Sequence, residues 1–319
     1  NYGYIFVNNM DIAAQLTPHA ANETATLRTV VLGLPDSPGA TPSLEEAYDA
    51  TSYRSVELGI YPQEKDIKRE MDALLSVLER YQVEVLRPTF IPNYNQIFAR
   101  DVAFTIEDRF FVANMIEDRM REVEAFRPIF DRIAPGHLVE MPKEAHAEGG
   151  DVLLYNDYLF IGTCREDEFD RYKTARTNRA GIEFFKKQFP DKKIVPLHLR
   201  KHDTDPTQSI LHLDCTFQPV AEGKAVVYPG GFAQEEEYQL IERIFGRENL
   251  FVVTQEEAMS LSTNLFSLSP RAIISEERFE RLNHHLATEW NMVVEAIPYH
   301  EISKEGGLLR CSTCPIVRD

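Results

Sequence analysis

"RCSTCPIVR", residues 310–318, is the last β-rich run of the 319-residue sequence, and it has no partner beside it. Four upstream stretches each contain two such segments around a turn with Asp, Asn, Gly or Pro: "RDVAFTIEDRFFVANM" (100–115), "GGDVLLYNDYLFIGT" (149–163), "HLDCTFQPVAEGKAVVYP" (212–229) and "STNLFSLSPRAIIS" (262–275). That is the pattern of a β-hairpin. One other run is equally unpaired: "LRTVVLGLP" (27–35), which no helical pattern precedes. Joining the two orphans completes a fifth hairpin from opposite ends of the sequence.

Working outward from these hairpins, a unit of roughly fifty residues recurs, made of an amphipathic helix, a short apolar strand and a hairpin. The helices are expected at 65–82, 117–134, 178–189, 234–246 and 275–290. In the first, Ile67, Met71, Leu74, Leu75 and Leu78 share one face opposite the charges, which marks that face for a core. The strand runs that follow are "VEVLRP", "HLVEMP", "KKIVPLHL", "LFVVT" and "MVVEAIP". Five units predict an α/β fold, a five-fold pseudosymmetric α/β propeller whose ring is closed by the N- and C-terminal strands. Residues 1–26 are expected to be an N-terminal extension and 27–319 a single catalytic domain. An open doubly wound sheet accounts for the alternation equally well, but not for the orphan strands.

Composition narrows the function classes. A net charge of −17 disfavours nucleic acid and anionic membrane as partners; it suits a cationic small molecule, though plain solubility explains it too. No stretch approaches eighteen consecutive apolar residues, so no membrane span is expected. Four cysteines are too few to staple a chain this long, which favours free thiols and a cytoplasmic location. A homodimer stays open.

The residues that begin the hairpins of successive units are Asp101, then Glu148 and Asp151, then His212 and Asp214, then Asn264, then Cys311. Equivalent positions of a closed repeat converge at one end of its axis. Several carboxylates, one imidazole and one thiol would therefore face a common pocket. Carboxylates at Asp101, Glu148 and Asp214 could hold a planar guanidinium through paired hydrogen bonds. A thiolate at Cys311, activated by His212 or by the cationic substrate, is the nucleophile, and His212 moves the protons. Each piece alone has a plainer meaning. "HLD" can be a structural histidine and "EGGD" a turn with left-handed glycines, while Cys-x-x-Cys at 311–314 can be a redox pair or half a zinc site.

At these residues the sequence resembles the guanidine-modifying (pentein) superfamily of arginine deiminases, dimethylargininases, amidinotransferases and related hydrolases. "PNYNQIFARDVAFTI" (92–106) is similar to the segment carrying a guanidinium-binding Asp, at Asp101. "EGGDVLL" (148–154) resembles the block whose acid completes a Cys-His-Glu triad, at Glu148. "LHLDCTFQPV" (211–220) resembles the histidine block, with Asp214 as a second guanidinium ligand, and "GGLLRCSTCP" (306–315) the nucleophile block, with Cys311 in the reactive place. "ARTNRAGIEFF" (175–185) resembles a segment that binds a substrate α-carboxylate, at Arg176, with Arg165 and Arg310 as alternatives. Asp151 and Asn264 are further substrate-binding candidates.

The resemblance implies an enzyme acting on arginine or an arginine-like compound through a covalent Cys311–amidino intermediate, with neither metal nor organic cofactor. A C–N hydrolase is the leading expectation and amidino transfer to an amine the alternative. A ureide hydrolase, or a binding protein of the same fold, ranks below. Cys314 is expected to be a packed, inert thiol.

Overall fold

The computed structural model describes residues 14–319. Its strands form five three-stranded sheets. Strand β1 (Leu27–Leu32) runs parallel to β2 (Glu84–Leu86). Four sheets then repeat one plan, a hairpin whose second strand pairs in parallel with a strand reached through helix: β3 (Ala103–Ile106), β4 (Arg109–Val112) and β5 (Leu138–Glu140); β6 (Val152–Tyr155), β7 (Tyr158–Thr163) and β8 (Lys193–His198); β9 (Phe217–Ala221), β10 (Lys224–Val227) and β11 (Leu250–Val252); β12 (Phe266–Ser269), β13 (Ala272–Glu276) and β14 (Val293–Ile297).

The two orphan runs do pair. β15 (Thr313–Arg318) lies antiparallel to β1, with Val30 opposite Pro315, Val31 opposite Cys314 and Leu32 opposite Thr313. The last strand thereby supplies what the first sheet lacks, and the two ends of the chain share one sheet. β15 also packs beside β3, β6 beside β9, β9 beside β12, and β12 beside β1.

Most of the helices follow the predicted spacing. Glu64–Arg80 buries Ile67, Met71, Leu74, Val77 and Leu78, while Leu75 stays partly exposed. Asn178 caps Arg179–Gln188 by accepting from the Gly181 amide, and a capping box opens Glu235–Phe245. Two expectations are corrected. The stretch 117–134 is not one helix but a 3-10 turn (Glu117–Arg119) and two short helices, Met120–Ala125 and Arg127–Phe130. Pro128 lacks the amide that a continuous helix would need there. The helix expected over 275–290 begins only at Glu280, because Ser275 and Glu276 complete β13 against Ala296 and Ile297. A helix at Ala50–Glu57, capped by the Asp49 carboxylate on the Ser52 amide (2.8 Å), escaped the periodicity reading. No helix among the described residues is long and apolar enough to cross a membrane.

The start of each inner strand matters most for chemistry. β3, β6 and β9 are preceded by the 3-10 turns Ala99–Asp101, Gly149–Asp151 and Leu213–Cys215, which touch in series. β12 and β15 begin two residues after Asn264 and Cys311. The candidate residues thus sit on turns just ahead of the strands, not within them. Cys311 does not start the last strand; Thr313 does.

Candidate active site

His212 is fully buried, and its ring is held on both sides by acid. Nε2 donates to Glu148 Oε2 at 2.7 Å, and Nδ1 lies 3.6 Å from Asp101 Oδ1. Burial alone would drive the imidazolium to lose its proton. The Asp101 charge, the Glu148 hydrogen bond and the nearby Asp151 outweigh it, and the pKa rises to about 9. Burial likewise opposes ionisation of Glu148, but Arg176 and His212 hold its carboxyl well below the usual range. Both shifts favour the imidazolium–carboxylate form of the pair.

The turn is built so that this ring can approach. A Cβ on Gly150 would come within 2.6 Å of the His212 ring, and one on Gly149 would collide with the Arg100 carbonyl oxygen. Neither glycine has a positive φ. "EGGD" therefore needs glycine for close approach and not for a left-handed turn.

Cys311 meets the turn that follows His212 at Asp214 and Cys215, in a group distinct from Asp101, Glu148 and His212. Its amide donates to Asn264 Oδ1 (3.1 Å), Asn264 Nδ2 donates to its sulfur (3.3 Å), and Asp214 Oδ2 lies 4.0 Å away. Asn264 therefore grips the residue by both backbone and side chain. A second thiol joins them: the ligand atoms of Asp214, Cys215 and Cys311 all lie within 4.8 Å of one another. A hydrogen bond toward Cys311, then burial, raises the Cys215 pKa well above its ordinary value. Cys215 was not among the sequence candidates, although its place after Asp214 was a signal. Cys314 faces elsewhere, its sulfur 3.0 Å from the Ala103 carbonyl, and burial pushes its thiol up to about 12.

The remaining candidates are positioned but largely occupied. Asp101 Oδ2 accepts from Arg119 Nη1 (2.7 Å), and Arg119 also grips Glu122. Asp214 Oδ2 accepts from Arg310 Nη1 (2.9 Å), while Arg310 reaches Glu23 through Nε (3.2 Å) and Nη2 (3.1 Å). Asp151 braces the neighbouring turns, accepting from the Leu213 amide (3.0 Å) and the Thr177 hydroxyl (2.6 Å). Arg176 donates to Lys173 O, Glu148 Oε2 (2.9 Å) and Tyr48 O (2.8 Å), with its side chain fully buried. Arg119, Glu122 and Glu23 were missed in the sequence, where nothing distinguishes them from surface charges. After all these bonds, three buried atoms of the candidate residues keep no partner: Asp101 Oδ1, Glu148 Oε1 and His212 Nδ1. They belong to one cluster.

The family match and the structural neighbours place the chain in the guanidine-modifying (pentein) superfamily. The chain belongs to the family described as N,N dimethylarginine dimethylhydrolase, eukaryotic, whose pattern matches residues 46–318. It is 26% identical over 314 residues to the uncharacterized protein YkgA of Bacillus subtilis (strain 168), covering 97% of this chain and 99% of that one. It is 24% identical over 231 residues to the bifunctional arginine dihydrolase/ornithine cyclodeaminase AgrE of Nostoc, covering 70% of this chain but only 30% of that protein's length. Its fold resembles the amidinotransferase SxtG from Microseira wollei (TM-score 0.73, 18% identity, 94% of this chain and 97% of that chain). It also resembles the N-terminal domain of the cyanobacterial arginine dihydrolase ArgZ (TM-score 0.70, 18% identity, 91% and 97%).

Proposed function

We propose that the chain is a guanidino-group-modifying enzyme, most simply a C–N hydrolase, that works through a covalent adduct on Cys311. What carries the reading is the set of three buried, unpartnered atoms: Asp101 Oδ1 and Glu148 Oε1 accept hydrogen bonds, and they flank an imidazolium. A guanidinium donates from every edge, so it satisfies both acceptors at once. The Cys311 thiolate adds to its central carbon. As the tetrahedral centre collapses, the C–N bond breaks, and His212 gives its proton to the departing amine. His212, now neutral, takes a proton from water as the oxygen attacks the amidino carbon. The C–S bond then breaks and the thiolate returns. Asn264 steadies the thiolate, while Glu148 keeps the imidazole in place.

The ArgZ domain has also been seen covalently bound to a reaction intermediate, which supports an adduct of this kind. Transfer of the amidino group to a second amine is favoured by one observation. Cys311, His212 and Glu148 are almost wholly shielded from solvent, as an adduct that must survive water requires. In this reading the five sheets close into a ring, supported by the β1–β15 pairing and the neighbouring inner strands. The enzyme acts on a small guanidino substrate in the cytoplasm, which suits four free thiols.

The test is intact-protein mass after rapid quenching with a panel of guanidines. A mass increase that Cys311→Ala abolishes and Cys314→Ala retains is expected. Absence of any adduct, together with absence of turnover on any guanidine or ureide, refutes the reading. Product analysis separates the branches, since a new guanidino compound formed only with added amine means transfer.

A further inference from the structure

Beside the site lies a cavity of about 360 Å³, walled by Tyr48, Tyr61, Phe98, Asn95, Glu46 and Glu305 among others. Two hydrogen bonds join its wall to the catalytic turns. Tyr48 O accepts from Arg176, the partner of Glu148, and Phe98 O accepts from Arg119 (3.2 Å), the partner of Asp101. Glu305 opens the segment that ends in Cys311, and the Phe98 ring packs against Gly307 in that same segment. The cavity therefore adjoins the turns that carry Asp101, Glu148 and Cys311.

Among the described residues no Lys or Arg lines it; Glu46, Glu64 and Glu305 do. Glu305 is 4% exposed. One of its carboxylate oxygens takes the Asn95 amide, and the other has no hydrogen-bond partner. Three arginines were candidates for a substrate carboxylate, and none reaches the cavity. Arg176 and Arg310 are spent on buried acids, and Arg165 pairs with Glu168 near the surface. Lys68 is bound to Asp36 and Glu64. Lys173 lines the outer part of the same recess, which shares Glu46, Tyr48 and Asn95 with this cavity, and there its ammonium faces the Glu45 carbonyl. The amino ends of the two bordering helices already carry acid: Asp49 at one, Glu64 and Asp66 at the other.

Resting on the function proposed above, we propose that this cavity is the subsite for the end of the substrate remote from the guanidinium, and that it selects an ammonium and rejects a carboxylate. An ammonium there meets the Glu305 carboxylate and the rings of Tyr48, Tyr61 and Phe98, surroundings that favour a cation. A carboxylate meets Glu46 and Glu305, and Glu64 is already paired with Lys68, so no cation of the wall is left to receive it. The Glu305 carboxyl is raised by burial, opposed by Asn95 and Tyr61 and reinforced by the Asp49 charge, to about 7. Binding of an amine should therefore tighten as pH rises through that value.

The full chain is assayed with agmatine, L-arginine and butylguanidine, which share the guanidinium and differ at the far end. Agmatine is expected to exceed arginine in kcat/KM by at least about tenfold, and Glu305→Gln to lower the agmatine-to-butylguanidine ratio about tenfold to a hundredfold. A preference for arginine, or a ratio unmoved by the variant, overturns the proposal while leaving the guanidino chemistry intact. If Glu305→Gln does not fold, the wild-type preference and a fall in agmatine KM from pH 6 to 8, not shared by butylguanidine, decide. If no guanidine is turned over, calorimetry with butylamine reads the subsite alone. Binding that weakens in Glu305→Gln sustains the subsite without the function, and no binding refutes it.

Discussion

Glu148 is the position at which stability and catalysis are most tightly joined, so Glu148→Gln is the most informative perturbation. One of its oxygens receives both His212 Nε2 (2.7 Å) and Arg176 Nη1 (2.9 Å), and none of the three side chains is exposed. The amide keeps the shape and removes the only negative charge that touches both cations. Leaving a buried charge without its partner typically costs about 3–5 kcal/mol. The pH dependence gives an independent handle. The folded-state pKa of His212 lies above its unfolded value, so its contribution is fully present below pH 6.5 and lost as pH rises through about 9. Over that window the wild type should lose roughly 3 kcal/mol. The depressed Glu148 carboxyl reports the same attraction from the other side: stability present above the usual carboxylate range and lost on acidification. The two are one interaction and count once.

In Glu148→Gln, burial of His212 is opposed mainly by Asp101 and Asp151, so its pKa falls and the decline of stability between pH 6.5 and 9 flattens. Urea unfolding of both proteins at several pH values across this window measures both effects. Turnover should drop by about 10²–10⁴, the usual worth of positioned proton transfer. A variant within about 1 kcal/mol of wild type at pH 7, with an unchanged slope against pH, would refute the assignment of Glu148 as the charge that holds His212 and Arg176.

Three further outcomes follow from the same geometry. Gly150→Ala places a methyl 2.6 Å from the His212 ring, so the imidazole must leave Glu148; activity should fall at least about a hundredfold, while a thiol reagent still titrates Cys311. Glu23→Gln unpairs one side of the buried Arg310 guanidinium, and a loss of about 2–4 kcal/mol in urea unfolding is expected, whereas no loss would mean that Glu23 is peripheral. Cys314→Ala removes a fully buried sulfur from β15 and should cost about 1–2 kcal/mol without reducing kcat; loss of activity as complete as in Cys311→Ala would reverse the roles of the two thiols.

The architecture was legible because it rests on local signals. A hairpin writes itself into adjacent residues, and a missing partner is visible as an unpaired run, which is why β1 and β15 could be matched across almost the whole chain. Proline at 128 was equally legible as a helix breaker, yet the apolar spacing around it looked continuous. The pairing of charges leaves no such mark. Arg119 and Asp101 are eighteen positions apart, Arg310 and Glu23 287, and the bonds between them depend on turns brought together by the fold. Residue type was therefore a good guide to which side chains gather and a poor one to what they are free to do. Asp101 and Asp214, read as a pair of guanidinium ligands, each already hold an arginine of the protein itself through one oxygen. What remains for a substrate is not the list of acids but the few atoms left over: one oxygen of Asp101, one of Glu148, the His212 Nδ1 beside them and, in the adjoining cavity, one oxygen of Glu305. The three oxygens are acceptors, so under the proposed function the ligand brings donors to both ends.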